Sequence, residues 1–397
     1  MKDQTVCVHH PEVSEAGFRS LTVPTHRAST IVYDDMTSFK ARGSRGFDGY
    51  TYGLHGTPTT RRLEAQITQL HGGVRSILTP SGQAAITAIM LTFLMPGDRV
   101  LIPDNAYGPV RFFCSDYLEP RDIAYTVYDP TIGAGIEALI TPEVKLIWLE
   151  SPGSGTMEVQ DIPAIVAVAK AHGILTGCDN TWATPLCFKP LAHGVDFAVE
   201  ALTKYIGGHS DLLMGSITVS DIELRQKIKL VIRDLGIGVS PDEAALALRG
   251  IETMAVRIAH VGRVALEFAN RLSAFPAVTR VLHPALPGTP GHEFWKRDFT
   301  GATGVFTVLL NPGTEAALEQ ALSAMKTFAI GASWGGTRSL MAPISPAGER
   351  SAVLWEHRGP VVRISIGLEA EGDLWADVEK VFSAALSASL KSPAYSD

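Results

Sequence analysis

VKLIWLESPGSGTMEVQDIPAIVAVAKAHGILTGCDN, residues 144–180, carries the signal that decides the fold. It opens on VKLIWLE (144–150), a nearly continuous apolar run of the kind a strand shows when both of its faces are covered. DIPAIVAVAKAHG (161–173) then predicts a helix, with Asp161 placed to cap its start and Gly173 to end it. ILTGCDN (174–180) reads as a second buried strand. A strand, a helix and another strand in close succession form a crossover unit, the building block of a parallel sheet.

The same alternation extends in both directions. VRSILTP (74–80) predicts a strand, SGQAAITAIMLTFLM (81–95) a helix, DRVLIPD (98–104) a strand, the region near 108–118 a helix and DFAVEALT (196–203) a strand. The expected class is α/β with a mostly parallel, doubly wound sheet. Beyond it, residues 245–275 predict a long amphipathic helix or helix pair, and 281–301 are rich in Gly and Pro. GVFTVLL (304–310) and VVRISIGL (361–368) read as strands around a helix near 314–328, a smaller α+β unit whose boundary falls within 235–260. There is no internal repeat and no low-complexity tract.

Composition narrows the function. The chain has 397 residues, 46% of them hydrophobic and 19% charged, which is ordinary for a globular enzyme. A net charge of −7 argues against a general nucleic-acid binder, which needs a basic face. ITAIMLTFLM (86–95) is too short to cross a bilayer. The N-terminus lacks the apolar core of a signal peptide. Cys7, Cys114, Cys178 and Cys187 lie far apart with no C-x-x-C pair, which fits a reducing cytoplasm. CVHH (7–10) lacks a completing ligand set, so a terminal arm is expected there and no metal site.

Ligands on open α/β sheets bind at the carboxyl ends of the strands. The polar residues at those ends are Ser81, Asp104, Glu150, Ser151, Asp179, Asn180, Thr203 and Lys204. Asp179 and Lys204 alone predict a salt bridge. Three further features change the reading. Ser81-Gly82-Gln83 stands between a strand and the next helix, where free N–H groups bind phosphate. Tyr107 in DNAYGP offers an aromatic face, and Arg363 within an apolar strand needs an anion. Pyridoxal 5'-phosphate accounts for all of them: a phosphate for the helix, a ring for Tyr107, a pyridine nitrogen for Asp179 and an aldehyde for Lys204.

With these residues in place, the sequence resembles the cysteine/methionine-metabolism family of fold-type-I pyridoxal-phosphate enzymes. The resemblance runs from THRASTIVYDD (25–35) to VVRISIGLEA (361–370). It rests on YGLHGTPTT, PSGQAA, DNAYGP, LESPGSGTMEVQD, DNTWATP, ALTKYIGGHSD, HPALPGTPGHEFWKRDFTG, SWGG and RISIGLE in order.

The resemblance implies an aspartate-aminotransferase-like fold with a seven-stranded, mostly parallel sheet. It divides the chain into an N-terminal arm (1–55) reaching a neighbouring subunit, a cofactor-binding large domain (56–250) and a small C-terminal domain (251–397). It implies that Lys204 joins the cofactor and shuttles protons, that Asp179 pairs with the ring nitrogen and that Tyr107 covers the ring. Gly82, Gln83 and Thr203 hold the phosphate, helped across the subunit boundary by Tyr52. Arg363 and Ser333 clamp the substrate's α-carboxylate, and Trp334 walls the pocket. The implied assembly is a homotetramer made of two active dimers, without nucleic-acid or membrane partners.

The implied activity is β-cleavage of the carbon–sulfur bond of L-cystathionine or a related thioether, in transsulfuration and methionine biosynthesis. LESPGS favours this over the γ-acting relatives, which carry Asn-Pro where Ser154 and Gly155 stand. A γ-lyase, γ-synthase or sulfhydrylase, a cysteine desulfhydrase, and a non-catalytic regulator on the same fold are the alternatives. Three positions depart from the family. Leu54 replaces an Arg that binds phosphate across the dimer, His55 replaces an Arg that meets the distal end of the substrate, and Ala201 replaces a frequent Ser. Arg338 stands where relatives carry Glu and is a candidate for the distal carboxylate.

Overall fold

The structure is a computed structural model that describes residues 14–348 and 350–389, together with Lys2 and Gln4. The CVHH segment lies outside the described residues. Seven strands form the larger sheet: β1 (Arg75–Thr79), β2 (Arg99–Pro103), β3 (Ala124–Tyr128), β4 (Val144–Glu150), β5 (Leu175–Asp179), β6 (Phe197–Ala201) and β7 (Gly215–Val219). Their spatial order is β1-β7-β6-β5-β4-β2-β3. The run β6-β5-β4-β2-β3 is parallel, and β7 is antiparallel to both β1 and β6. The fold is thus α/β with a mostly parallel seven-stranded sheet.

β4 shows why the central strands read as continuous apolar runs. Its residues alternate between two cores: Leu146 and Trp148 pack with the helices Gly82–Phe93 and Ile222–Asp234, while Ile147 and Leu149 face the helix Ile162–Ala171. Both faces exclude water, so period-two alternation disappears from the sequence. Room for Trp148 comes from the neighbouring strand. A Cβ on Gly177, its register partner in β5, would lie 2.5 Å from the indole.

The helix Ile162–Ala171 begins as its sequence predicts, with the Asp161 side chain accepting from Ala164 N–H. Its C-cap is His172, and Gly173 follows at φ +66°. Strands β3 and β7 did not stand out in the sequence. β3 is a partly exposed edge, and β7 is only five residues long and begins Gly-Ser.

The smaller sheet is antiparallel: β8 (Val278–Leu282), β9 (Val305–Leu310), β10 (Leu340–Ile344) and β11 (Val361–Ser365), in the order β10-β11-β9-β8. β10 contains Pro343, which lacks an N–H and sits in an edge strand for that reason. A single helix, Pro241–Ser273, crosses residue 250 without a break. At 33 residues it is about 50 Å long. Its buried face belongs to a core continuous from the larger sheet to the smaller one. Among the described residues, no helix is long and apolar enough to cross a membrane.

Candidate active site

At the carboxyl ends of the parallel strands lies a cavity of about 310 Å³. Ser81, Gly82, Gln83, Tyr107, Asp179, Thr203, Lys204, Ser333, Trp334 and Arg363 all line it. Residues from both sheets therefore meet in one space, although 282 positions of the sequence separate Ser81 from Arg363 (363 − 81).

Lys204 stands just past the end of β6, where the chain turns sharply. Its N–H donates to Ala201 O (3.0 Å), and its own carbonyl accepts from Gly208 N–H (2.7 Å). Gly208 adopts φ +72°, and a Cβ there would strike the Arg257 guanidinium at 2.2 Å. That guanidinium, from the long helix, donates to Tyr205 O and Gly250 O, each at 2.7 Å. The glycine pair thus lets the helix clamp the turn that aims the lysine. His209 closes the same turn, its Nδ1 lying 2.8 Å from Gly207 O.

The half-buried Lys204 ammonium donates to Ser333 Oγ (2.6 Å) and lies 5.2 Å from the centre of the Trp334 ring. Burial, and then the positive charge of Arg363, push Lys204 down to about 8, against the opposing pull of Asp179. Asp179 ends β5 and accepts from Thr181 N–H at Oδ1 (2.9 Å). The residue lines the cavity. Enclosure raises its carboxyl above the ordinary value.

Glu150 at the end of β4 was a strand-end polar residue without a role in the sequence reading. Its side chain accepts from Tyr107 N–H (2.6 Å) and Ser154 N–H (2.9 Å), so it fixes both Tyr107 and the loop after β4. Burial, and then the charge of Asp179, hold it well above the usual carboxylate range. A Glu closing a strand whose other buried residues are all apolar is the available signal.

At the helix Gly82–Phe93, Ser81 caps the N-terminus by accepting from Ala84 N–H (3.0 Å). The N–H groups of Gly82 and Gln83, in the first turn, have no helical carbonyl to reach. A Cβ on Gly82 would lie 2.7 Å from Ala201 Cβ, so the turn packs directly on the end of β6. The Thr203 hydroxyl is committed to Met214, donating to its carbonyl (3.3 Å) and accepting its N–H (3.1 Å). Arg363, in β11, donates to Ala332 O, beside Ser333. Trp182 is buried, lines the cavity and donates through Nε1 to Val305 O (3.1 Å).

Three candidates lie elsewhere. Tyr52 is exposed and bridges to Thr30. His55 lines a separate cavity with Leu54. Arg338 is exposed and outside the Lys204 cavity.

A sequence profile of the family described as Cys/Met metabolism PLP-dependent enzyme matches residues 4–383. The chain belongs to this family. Its cofactor is pyridoxal phosphate, and the cavity suits that group. An accessible carboxylate oxygen, an amine of lowered basicity, a helix N-terminus without side-chain bulk and an aromatic face open on one space.

Two Cys/Met family relatives show how evenly the likeness spreads. Cystathionine beta-lyase of Escherichia coli (strain K12) is 38% identical over 369 residues, covering 90% of this chain and 92% of that one. L-alanine/L-glutamate racemase of Wolbachia pipientis wMel is 38% identical over 392 residues, covering 95% and 96%. Among solved structures, cystathionine gamma synthase from Xanthomonas oryzae pv. oryzae, in complex with aminoacrylate and cysteine, superposes with a TM-score of 0.85. It is 29% identical and covers 94% of this chain and 95% of that one.

Proposed function

We propose that the protein is a cystathionine β-lyase, a carbon–sulfur lyase that converts L-cystathionine and water to L-homocysteine, pyruvate and ammonia. The observation that carries this reading is Lys204. Its amine, of lowered basicity, shares one cavity with Asp179, the Gly82–Gln83 helix start and Arg363.

When bound, pyridoxal phosphate supplies an electron sink for the pair left as the substrate's Cα–H bond breaks. Asp179 would hold the proton on the ring nitrogen through its carboxylate. The Gly82 and Gln83 N–H groups would hold the phosphate, with Tyr52 of a neighbouring subunit and, once its hydroxyl turns from Met214 O, Thr203 as further contacts. Tyr107, held by Glu150 through its backbone N–H, would cover the ring. Arg363, with Ser333, takes the substrate's α-carboxylate in the paired geometry a guanidinium favours. Trp334 walls the amino-acid end. Lys204 removes the α-proton, and the resulting ammonium stands ready to protonate the sulfur as homocysteine departs from the β-carbon.

His55 and Arg338 are proposed to contact the distal end of the substrate. If Arg338→Ala left kcat/KM for cystathionine unchanged while Arg363→Ala abolished it, the Arg338 assignment would fail. The racemase relative supports a second reading, because racemisation begins with the same loss of the α-proton. Product analysis separates the outcomes. Pyruvate marks β-cleavage, 2-oxobutyrate marks a γ-acting enzyme, and a D-amino acid without keto acid marks a racemase.

The assembly is proposed to be a cytoplasmic homotetramer. The arm (1–55) would lie on a neighbour, beside the large (56–250) and small (251–397) domains. Supporting this, Phe18, Leu21, Val32, Met36, Phe39 and Tyr52 are all exposed in the single chain. A row of apolar side chains of this kind marks a surface that another chain covers. Sedimentation equilibrium at monomer mass would overturn the assembly.

A further inference from the structure

A second cavity, of about 370 Å³, lies between the arm and the helix Ile222–Asp234. Arg42, His55, Lys229 and Arg233 line it, and no carboxylate does. Three carboxylates lie close by, and each is already paired. Asp48 bonds Arg225 and approaches Arg75 (3.9 Å), Glu64 bonds Arg61 (2.7 Å), and Asp234 bonds Arg233 (2.9 Å). Lys229 makes no hydrogen bond or ion pair among the described residues, and Arg42 makes no ion pair.

Positive charge therefore accumulates here in a chain whose net charge is −7. Burial depresses Lys229, and although Glu64 pulls the other way, Arg61 and Arg225 oppose its charge further. His55 is likewise held down, by burial and then by Lys229, Arg233 and Arg61. A half-buried ammonium whose nearby carboxylates, Glu64 and Asp48, are bonded to other cations costs free energy unless an anion joins it.

We infer that this cavity is an oxyanion-binding site, with Lys229 and Arg233 as its principal contacts and Arg42 at its rim. The ligand is a small phosphate- or carboxylate-bearing anion. Two sources share that chemistry: a free anion, and the distal carboxylate of substrate bound in the cavity of a second copy of the chain. The site itself does not depend on the lyase reading.

The test uses the full chain loaded with cofactor, in phosphate-free zwitterionic buffer, titrated with inorganic phosphate by calorimetry. Saturable binding is expected, weakened about tenfold or more by Lys229→Met and by Arg233→Met. Lys227→Met, an exposed position on the same helix that does not line the cavity, leaves it unchanged. Circular dichroism and cofactor content identify any variant that fails to fold. Absence of saturable binding, or wild-type affinity in Lys229→Met, overturns the site.

Kinetics then assign the source. If phosphate raises KM for L-cystathionine with kcat unchanged, and Lys229→Met loses that inhibition, the natural anion is the substrate's carboxylate. If phosphate binds without moving KM, the natural anion is free.

Discussion

Lys204 stands under opposing influences whose balance sets its chemistry. Burial and Arg363 favour the neutral amine, and Asp179 favours the ammonium, with the result near 8. The neutral form, which is the nucleophile, therefore grows as pH rises from about 7 to 9. The rate of cofactor uptake by cofactor-free protein, followed by absorbance, should rise through a midpoint near 8. Arg363→Met removes a neighbouring positive charge, so its midpoint should move upward. A wild-type midpoint above 10 would contradict the electrostatic argument. Lys204→Ala should fold, lack the visible absorbance of lysine-bound cofactor and lose pyruvate formation by roughly 10³-fold or more. A variant that still turns over would remove Lys204 from its role.

The site also depends on how closely its elements approach one another. β7 runs beside the Ser81–Gly82 turn, and a Cβ on Gly215 would lie 2.3 Å from Ser81 O and 2.8 Å from Gly82 Cα. Backbone offers no flexible end that can move aside. Gly215→Ala should destabilise the protein by about 1–3 kcal/mol through overpacking. It should also weaken cofactor affinity disproportionately, because the displaced turn is the one proposed to hold the phosphate. Denaturant unfolding of cofactor-free protein and equilibrium dialysis of cofactor measure the two effects separately. Unchanged cofactor affinity would show that the turn tolerates the displacement. None of this closeness can be read from GSITV as a string.

The two sheets are joined by more than the long helix. Asp104, at the end of β2, accepts backbone N–H groups from Ser351, Ala352 and Val353 at 2.9, 3.1 and 2.8 Å. It thereby ties the segment before β11 to the strand end that leads to Tyr107. Arg350 adds an ion pair to Glu158. Asp104→Ala leaves three N–H groups without their acceptor, a loss of about 1–3 kcal/mol. Limited proteolysis should then cut the 345–358 region faster. KM should rise more than kcat falls, because this segment leads into β11, which carries the proposed carboxylate contact Arg363. Protection equal to wild type would mean that the helix alone holds the two units together.

The sequence by itself determined the parallel core and the chemical parts. Buried strands must be apolar throughout and helices must be capped, so VKLIWLE and DIPAIVAVAKAHG could form little else. A lysine, an aspartate and a glycine-led helix at strand ends could be named before any coordinate was known. The tertiary structure decided what is near what. It brought Arg363 from the second sheet into the Lys204 cavity and bound Tyr107 to Glu150. It committed the Thr203 hydroxyl to Met214 and gathered Lys229, Arg233 and His55 around one empty space. The reason is physical. Periodicity and capping are local properties of the chain, whereas charge balance and close approach depend on residues far apart in sequence that only the packed molecule brings together.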